Sequence, residues 1–353
     1  MQTVEAPTIA LAVGGLLPLA NVIETSDPLT QQLGVTYQRA PYTVPQPIPT
    51  SPTPKTFESQ YEVSGEPFAI YKGIQTSAFQ RALAAGLVDS LFGAGEGYAV
   101  EVAVQENLLN PLAVDLTPTA GTAVTPKQAL AILEQWAADN YLGLPLLHTN
   151  RFGTVLLDDM VRGDLPLHTR QRTPLANGGG YGATGPALDA PILSLGTTHA
   201  SGGSFVADDY FWVVTAITGV EESVVSNEVT AAIALNGRQV LNWIKVPGAT
   251  GYKVYRGTAT AVWGTLVATL GDVATYTDTG AAGTANSPAN VAAPRVAAND
   301  EAWLYVSGQV NLWRGPVVKG GADVYTSGAR RELIERIYVP TCDGPVAAIL
   351  MSL

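Results

Sequence analysis

From Ala207 to Gly280 the chain is a succession of short β-forming stretches divided by turn residues, set between two flanking segments. Such stretches bury their alternate side chains only by packing as two sheets. Tyr210 to Ala216 and Val224 to Thr230 are rich in β-branched and aromatic residues and flank Gly219-Val220-Glu221-Glu222, which predicts a hairpin. Val240 to Trp243, Tyr252 to Arg256, Leu266 to Leu270 and Ala274 to Thr277 follow, separated by Pro247-Gly248, Gly257 and Gly271-Asp272. Six strands at this spacing predict a sandwich, and its flanks then read as two halves of one body.

In the first flank, residues 1 to 60 hold turn residues and proline but almost no periodicity, ending in the proline-rich run Val44 to Pro54. They predict an extended arm without a core of its own. Glu66 to Tyr71 reads as a strand leading to the N-cap pair Thr76-Ser77. Phe79, Leu83, Leu87 and Leu91 then recur every fourth residue, and Val100, Val104 and Leu108 resume the stripe opposite an acidic face of Glu101 and Glu106. This predicts a long helix kinked at Gly93-Ala94-Gly95. Thr125-Pro126-Lys127-Gln128 is a capping box opening a second helix, with Leu130, Leu133, Ala137 and Tyr141 on its buried face and a stop at Gly143. Leu144 to His148 reads as a buried strand and Phe152 to Val161 as a short helix. Beyond the β-rich centre, Ala302 to Trp313, Leu333 to Pro340 and Pro345 to Leu350 predict three strands, so the body is α+β.

Of 353 residues, 46% are apolar and only 14% charged, a sparse charge density for a soluble monomer. Much of the surface is therefore expected to be covered by partners. The net charge of −11, with 19 basic residues spread thinly, excludes a stripe that neutralises consecutive phosphates. An acidic wall still encloses nucleic acid without adhering to it, because repulsion is screened within roughly 10 Å. Cys342 is the single cysteine, so a disulfide framework is excluded and a buried thiol expected. The apolar run Ile9 to Pro18 lacks a basic leader and is too short to span a bilayer, which points to a protein made in a cytoplasm.

Gly180-Tyr181-Gly182-Ala183-Thr184-Gly185 has the spacing of a dinucleotide loop, but Pro186 and Pro191 follow where a helix is needed, so a glycine loop closely approaching a neighbour is expected instead. Asp158, Asp159 and Asp164, with His148 and His168, suggest a hard-metal site; a solvated acidic helix end and ordinary histidines account for them better. Arg162-Gly163-Asp164 spells an adhesion tripeptide of a length that arises by chance. No nucleophile elbow and no paired carboxylates are placed for acid–base work, so no catalytic, cofactor or metal residue is assigned and an enzyme is not expected.

Leu241-Asn242-Trp243, the run Val246 to Arg256 and Tyr276-Thr277-Asp278-Thr279-Gly280 resemble fibronectin type III and immunoglobulin-like modules. The strands similar to the end of such a module, Tyr210 to Thr230, precede those similar to its beginning, so the resemblance is to a permuted version. Outside it, Glu66 to Tyr71, Gly97 to Leu109, Ala129 to Arg151, Gly178-Gly179-Gly180-Tyr181, Trp303 to Val310 and Glu335 to Cys342 resemble major capsid proteins of tailed phages, notably of actinobacteria, with the Hong Kong 97-type fold shared by encapsulins. That resemblance implies an arm over residues 1–35, an extended loop over 36–73, peripheral and axial domains in 74–190 and 298–353, and a β-sandwich inserted at 191–297. It implies self-assembly into pentamers and hexamers of an icosahedral head enclosing double-stranded DNA, with scaffold, portal and decoration proteins as partners, no membrane, and residence in the virion. Lys55 and Lys72 lie where some relatives carry a cross-linking lysine. An adhesin or tail protein using the β module on a host glycan, and an encapsulin-like compartment, stay open beside it.

Overall fold

In a computed structural model, residues 15–40, 59–77, 81–118, 122–163, 167–218, 221–246, 248–288, 294–324 and 329–353 are described. The chain divides into two compact units. The first comprises residues 1–114, 125–183 and 300–353, and the second 115–124 and 184–299.

The first unit is built on a mixed sheet whose central pair, Glu301–Arg314 and Ala329–Ser352, runs antiparallel from Glu301↔Ser352 to Arg314↔Tyr338. The residues of Glu301–Arg314 are buried almost continuously rather than alternately, and the helices Pro126–Asn140 and Arg151–Leu156 contact the strand. Trp303, Leu304, Tyr305 and Val306 all lie below 3% exposure. Leu146–His148 pairs with this strand, and Pro174–Ala176, Leu167–Thr169 and Val161–Arg162 extend the sheet. The helix Pro126–Asn140 lies against the central pair and buries Ala129, Leu130, Leu133 and Ala137. Each buried leucine contributes roughly 1.5–3 kcal/mol. Thr125 accepts a hydrogen bond from Gln128 N at 3.4 Å, as expected of the cap, and the helix stops at Asn140 with Tyr141 as C-cap, short of Gly143.

Several expectations are corrected here. Leu333 to Pro340 and Pro345 to Leu350 are one 24-residue strand. Its pairing with Phe68–Ser77 ends at Tyr338, so Pro340 falls where the ladder on that flank has stopped, a position at which a sheet tolerates proline. Leu144 is 63% exposed, and only Leu146–His148 forms the buried strand. The short helix spans Arg151–Leu156, followed by a 3-10 turn at Asp158–Met160. The helix Arg81–Val104 continues unbroken through Gly93 and Gly95, and its irregularity lies further on, in a π-turn at Gln105–Leu109. Its buried side includes Val88 and Phe92, whereas Leu87 is 43% exposed. Residues four apart wind around a helix by about 40° per step, so a stripe read every fourth residue cannot stay on one face. Phe79 lies outside the described residues.

Residues 15–40 are also more ordered than an arm without a core. Asn21–Glu24 pairs in parallel with Asn311 to Arg314. Asp27 caps a short helix, Pro28–Leu33, by accepting from Leu29 N and Thr30 N at 3.2 Å each. Gly34, at φ 85°, ends it, and Val35–Arg39 then pairs with Tyr61–Gly65.

The second unit contains a three-stranded sheet, Ile192–His199, Arg238–Ile244 and Thr275–Asp278, and a six-stranded one. In the latter, Asp208–Thr218 pairs with Glu221–Glu222, Val229–Ile233 and Gly251–Gly257, and Thr265–Gly271 and Thr284–Ala285 continue from Gly251–Gly257. Leu193, Phe205, Trp212, Val214, Leu241, Trp243, Tyr252 and Val254 form its core. The strand expected over Val224 to Thr230 begins only at Val229, and the reason is chemical. Ser223 and Ser226 hydroxyls accept from Ala216 N and Val214 N at 2.9 and 3.0 Å, replacing the carbonyls of a regular ladder.

Candidate interaction surfaces

The glycine loop approaches a buried carboxylate. Glu101, expected on a solvent-facing side, is only 3% exposed. Its Oε1 accepts from Leu16 N at 3.0 Å and its Oε2 from Gly180 N at 2.8 Å. A Cβ on Gly178 would lie 1.8 Å from this carboxylate and one on Gly15 2.1 Å, so side chains are excluded at both. One turn further on, Gln105 Oε1 accepts from Gly182 N at 2.6 Å. Burial raises the Glu101 carboxyl above its ordinary range, against the lowering effect of Gly180 N, Leu16 N and the Arg151 charge. The residues after the loop form a strand, Thr184–Ala187, paired with Pro294–Val296, and no helix N-terminus stands there to meet a pyrophosphate.

His148 is fully buried, with Nδ1 2.9 Å from Tyr181 Oη and Nε2 2.8 Å from Ser307 Oγ. Burial lowers its pKa to about 3. It is a satisfied core histidine, as expected. Asp158 and Asp159 are exposed on the 3-10 turn, His168 lies on Leu167–Thr169, and Asp164 falls outside the described residues. Among the described residues no group of histidine, cysteine or carboxylate side chains has the geometry of a metal site. Cys342 is buried, which pushes its thiol up to about 12. Lys72 is exposed on Phe68–Ser77; Lys55 lies outside the described residues.

Three strands run out from the central sheet as a ribbon. Residues 329–335 of the long strand pair with Val318–Val324, and residues 329–338 with Phe68–Ser77. Among the described residues the two outer strands pair with that strand alone. In the row Gly73, Leu333 and Gly320, the leucine stands between glycines and stays 39% exposed. Gly320 has open space where a side chain would stand, and Tyr71 is 71% exposed nearby. The helix braces the ribbon: Lys319 Nζ is 2.8 Å from Asp89, and Glu96 accepts from Arg336 and from Tyr338 Oη at 2.7 Å each. Burial and the Glu96 carboxylate push the Tyr338 hydroxyl up to about 12.

A cleft of about 810 Å³ lies beside the strand Val35–Arg39, with Asn21, Tyr37, Arg39, Asn311, Trp313 and Asp343 among its lining residues. Asp343 accepts from Tyr37 Oη at 2.6 Å and Asn311 Nδ2 at 3.1 Å, and pairs with Arg39 at 3.1 Å. Neither this cluster nor Glu101 was legible as a buried site, because lone carboxylates far apart in sequence carry no spacing. Among the described residues the ribbon edges show no catalytic pairing either; each outer strand has one strand partner, and Tyr71 and Leu333 are exposed beside Lys72 and Lys319.

No protein-family model matches the chain, and no curated protein matches it. Solved structures similar to it include the mature capsid asymmetric unit of bacteriophage PhiM1, at 9% identity and TM-score 0.38 over the whole chain and 91% of that one. The capsid of cyanophage P-SCSP1u is similar at 8% identity and TM-score 0.39, covering the whole chain and 92% of that one. A structure from Mycobacterium phage Ogopogo is similar at 11% identity and TM-score 0.37, over the whole chain and 97% of that one. At such identities and scores, function has to be argued from the chain's own residues.

Proposed function

We propose that the chain is the repeating tile of a phage head, a major capsid protein of Hong Kong 97 type that assembles through its own copies into pentamers and hexamers around double-stranded DNA. The observation that carries this reading is the ribbon, whose two outer strands, among the described residues, pair on one side only and whose surface holds exposed Tyr71 and Leu333. Soluble monomers keep such edges short, charged or covered, whereas a shell subunit has neighbours to complete them. The sparse charge supports the same reading, since a tile surrounded by copies leaves little surface to water. So does the hairpin base formed by Val35–Arg39 and Tyr61–Gly65, where an extended loop over 36–73 would begin. Assembly in a host cytoplasm and engagement of scaffold, portal and decoration proteins belong to this proposal.

Residues 191–297 are read as an inserted module of fibronectin or immunoglobulin type, projecting outward. Its pairing supports a permuted order: Asp208–Thr218 lies between Val229–Ile233 and Gly251–Gly257, as the penultimate strand of such a module would, while Arg238–Ile244 lies between Ile192–His199 and Thr275–Asp278. Negative-stain microscopy of the purified recombinant chain tests the whole reading. Closed or capsomer-like particles are expected; a monodisperse monomer at high concentration would refute it, and density for the module on an inner wall would refute its outward placement.

A further inference from the structure

The Glu101 carboxylate ties three sequence-distant segments together in the first unit. It sits on the long helix, 85 residues from Leu16 and 79 from Gly180, whose backbone N–H groups it receives on separate oxygens. The glycines at 15, 178 and 180 let the backbone come this close. Each oxygen has its own donor, so the anion is the form that satisfies both. Once protonated, the oxygen that carries the proton becomes a donor and a much poorer acceptor, so one of the two contacts is weakened.

The two contacts are not equally backed. The glycine loop is also held by Gln105, which takes Gly182 N at 2.6 Å, and by Tyr181, whose hydroxyl meets His148. Among the described residues the backbone hydrogen bonds that otherwise hold the turn at Gly15 and Leu16 are the local ones from Leu19 N and Ala20 N to Leu16 O, both 2.9 Å, beside the buried Leu16 side chain. The weaker anchor yields first.

The geometry points to a proton-operated latch in which protonation of Glu101 frees the turn at residues 15–16, the root of the N-terminal segment, while the glycine loop stays in place. The groups that bear on its titration are Arg151, whose positive charge favours the anion, and Tyr181 from the loop. The turn, Gly15 to Ala20, contributes no titratable side chain. Burial makes the anion costly, so the latch titrates above an ordinary glutamate.

Hydrogen exchange of the full chain, corrected for intrinsic rates and followed from pH 7 to pH 4, tests this. In the wild type, exchange of residues 15–20 should rise about tenfold as pH falls, the equivalent of one lost hydrogen bond, with residues 180–182 unchanged. Glu101→Gln, which presents one donor to a donor at every pH, should show the fast rate throughout. Arg151→Met, at an exposed position, should move the transition to higher pH and covers the case in which the glutamine variant fails to fold. A rate at residues 15–20 independent of pH, or a transition unmoved in Arg151→Met, overturns the latch.

Discussion

Trp212 Nε1 donates to Asp278 Oδ2 at 2.9 Å inside the second unit, where Asp278 is 1% exposed. Asp278 also takes both contacts of Arg256 Nη1 at 2.9 Å, and the guanidinium lies 4.9 Å from the centre of the Phe205 ring. Gly280 N, at φ 77°, donates to the same carboxylate at 2.9 Å. Thus one aspartate joins both sheets and the turn after the last strand of the three-stranded one.

Asp278→Ala should therefore destabilise the second unit by about 3–5 kcal/mol, because it takes the carboxylate from a largely buried guanidinium, left with the Ala281 carbonyl, and from a buried indole N–H. Urea unfolding followed by tryptophan fluorescence measures this. A loss below about 1 kcal/mol would mean that water replaces the carboxylate.

Gly180→Ala should cost about 1–3 kcal/mol, since the new methyl would meet the Tyr98 carbonyl oxygen at 2.2 Å, and a backbone atom moves only with its helix. Gly86→Ala in the same helix, where nothing lies within 4 Å of the added methyl, is the control and should be neutral or stabilising. Both are read from urea midpoints.

Acid should destabilise the first unit through His148. Its folded pKa of about 3 lies below the ordinary 6.5. Above pH 6.5 neither state binds the proton and no pH dependence arises. Below it the unfolded chain takes up a proton that the folded chain refuses, so stability falls by about 1.4 kcal/mol per pH unit until pH nears the folded value. Between pH 7 and 5 the wild type should lose about 2 kcal/mol more than His148→Gln; equal losses would show that His148 does not titrate on unfolding.

Gly320→Lys should leave subunit unfolding within about 0.5 kcal/mol of wild type, because the position faces open space. The same substitution should block closed particles by placing a charge on the ribbon face, as edge lysines do in natural sheets. Sedimentation of assembled material against subunits measures the outcome, and normal particles would remove the ribbon from the assembly surface.

What could be read in advance divides by the range of the interactions. The cap at Thr125 and the unbroken apolar run from Ala302 leave local marks, and the helix and strand they predict are present. Asn21–Glu24 and Val318–Val324 were missed because a short strand owes its existence to a partner far along the chain. Glu101 looked solvated because Glu106 lies beside it in the pattern; only the glycines that close over it bury it. Removing residues 1–50, a natural way to probe an arm, would also strip a strand from the central sheet, so it is no clean test of assembly.

The strand Ala329–Ser352 passes from the ribbon into the deepest layer of the first unit without a loop. At about 3.4 Å per residue it is a beam of roughly 80 Å. Its one irregularity in the pairing with Glu301–Arg314 is the register shift between Ser307 and Gln309, where Gly344 sits at φ 138°. A tilt of the ribbon is therefore taken up as twist along residues 329–343 and meets a bend there before it reaches Ile349 and Met351.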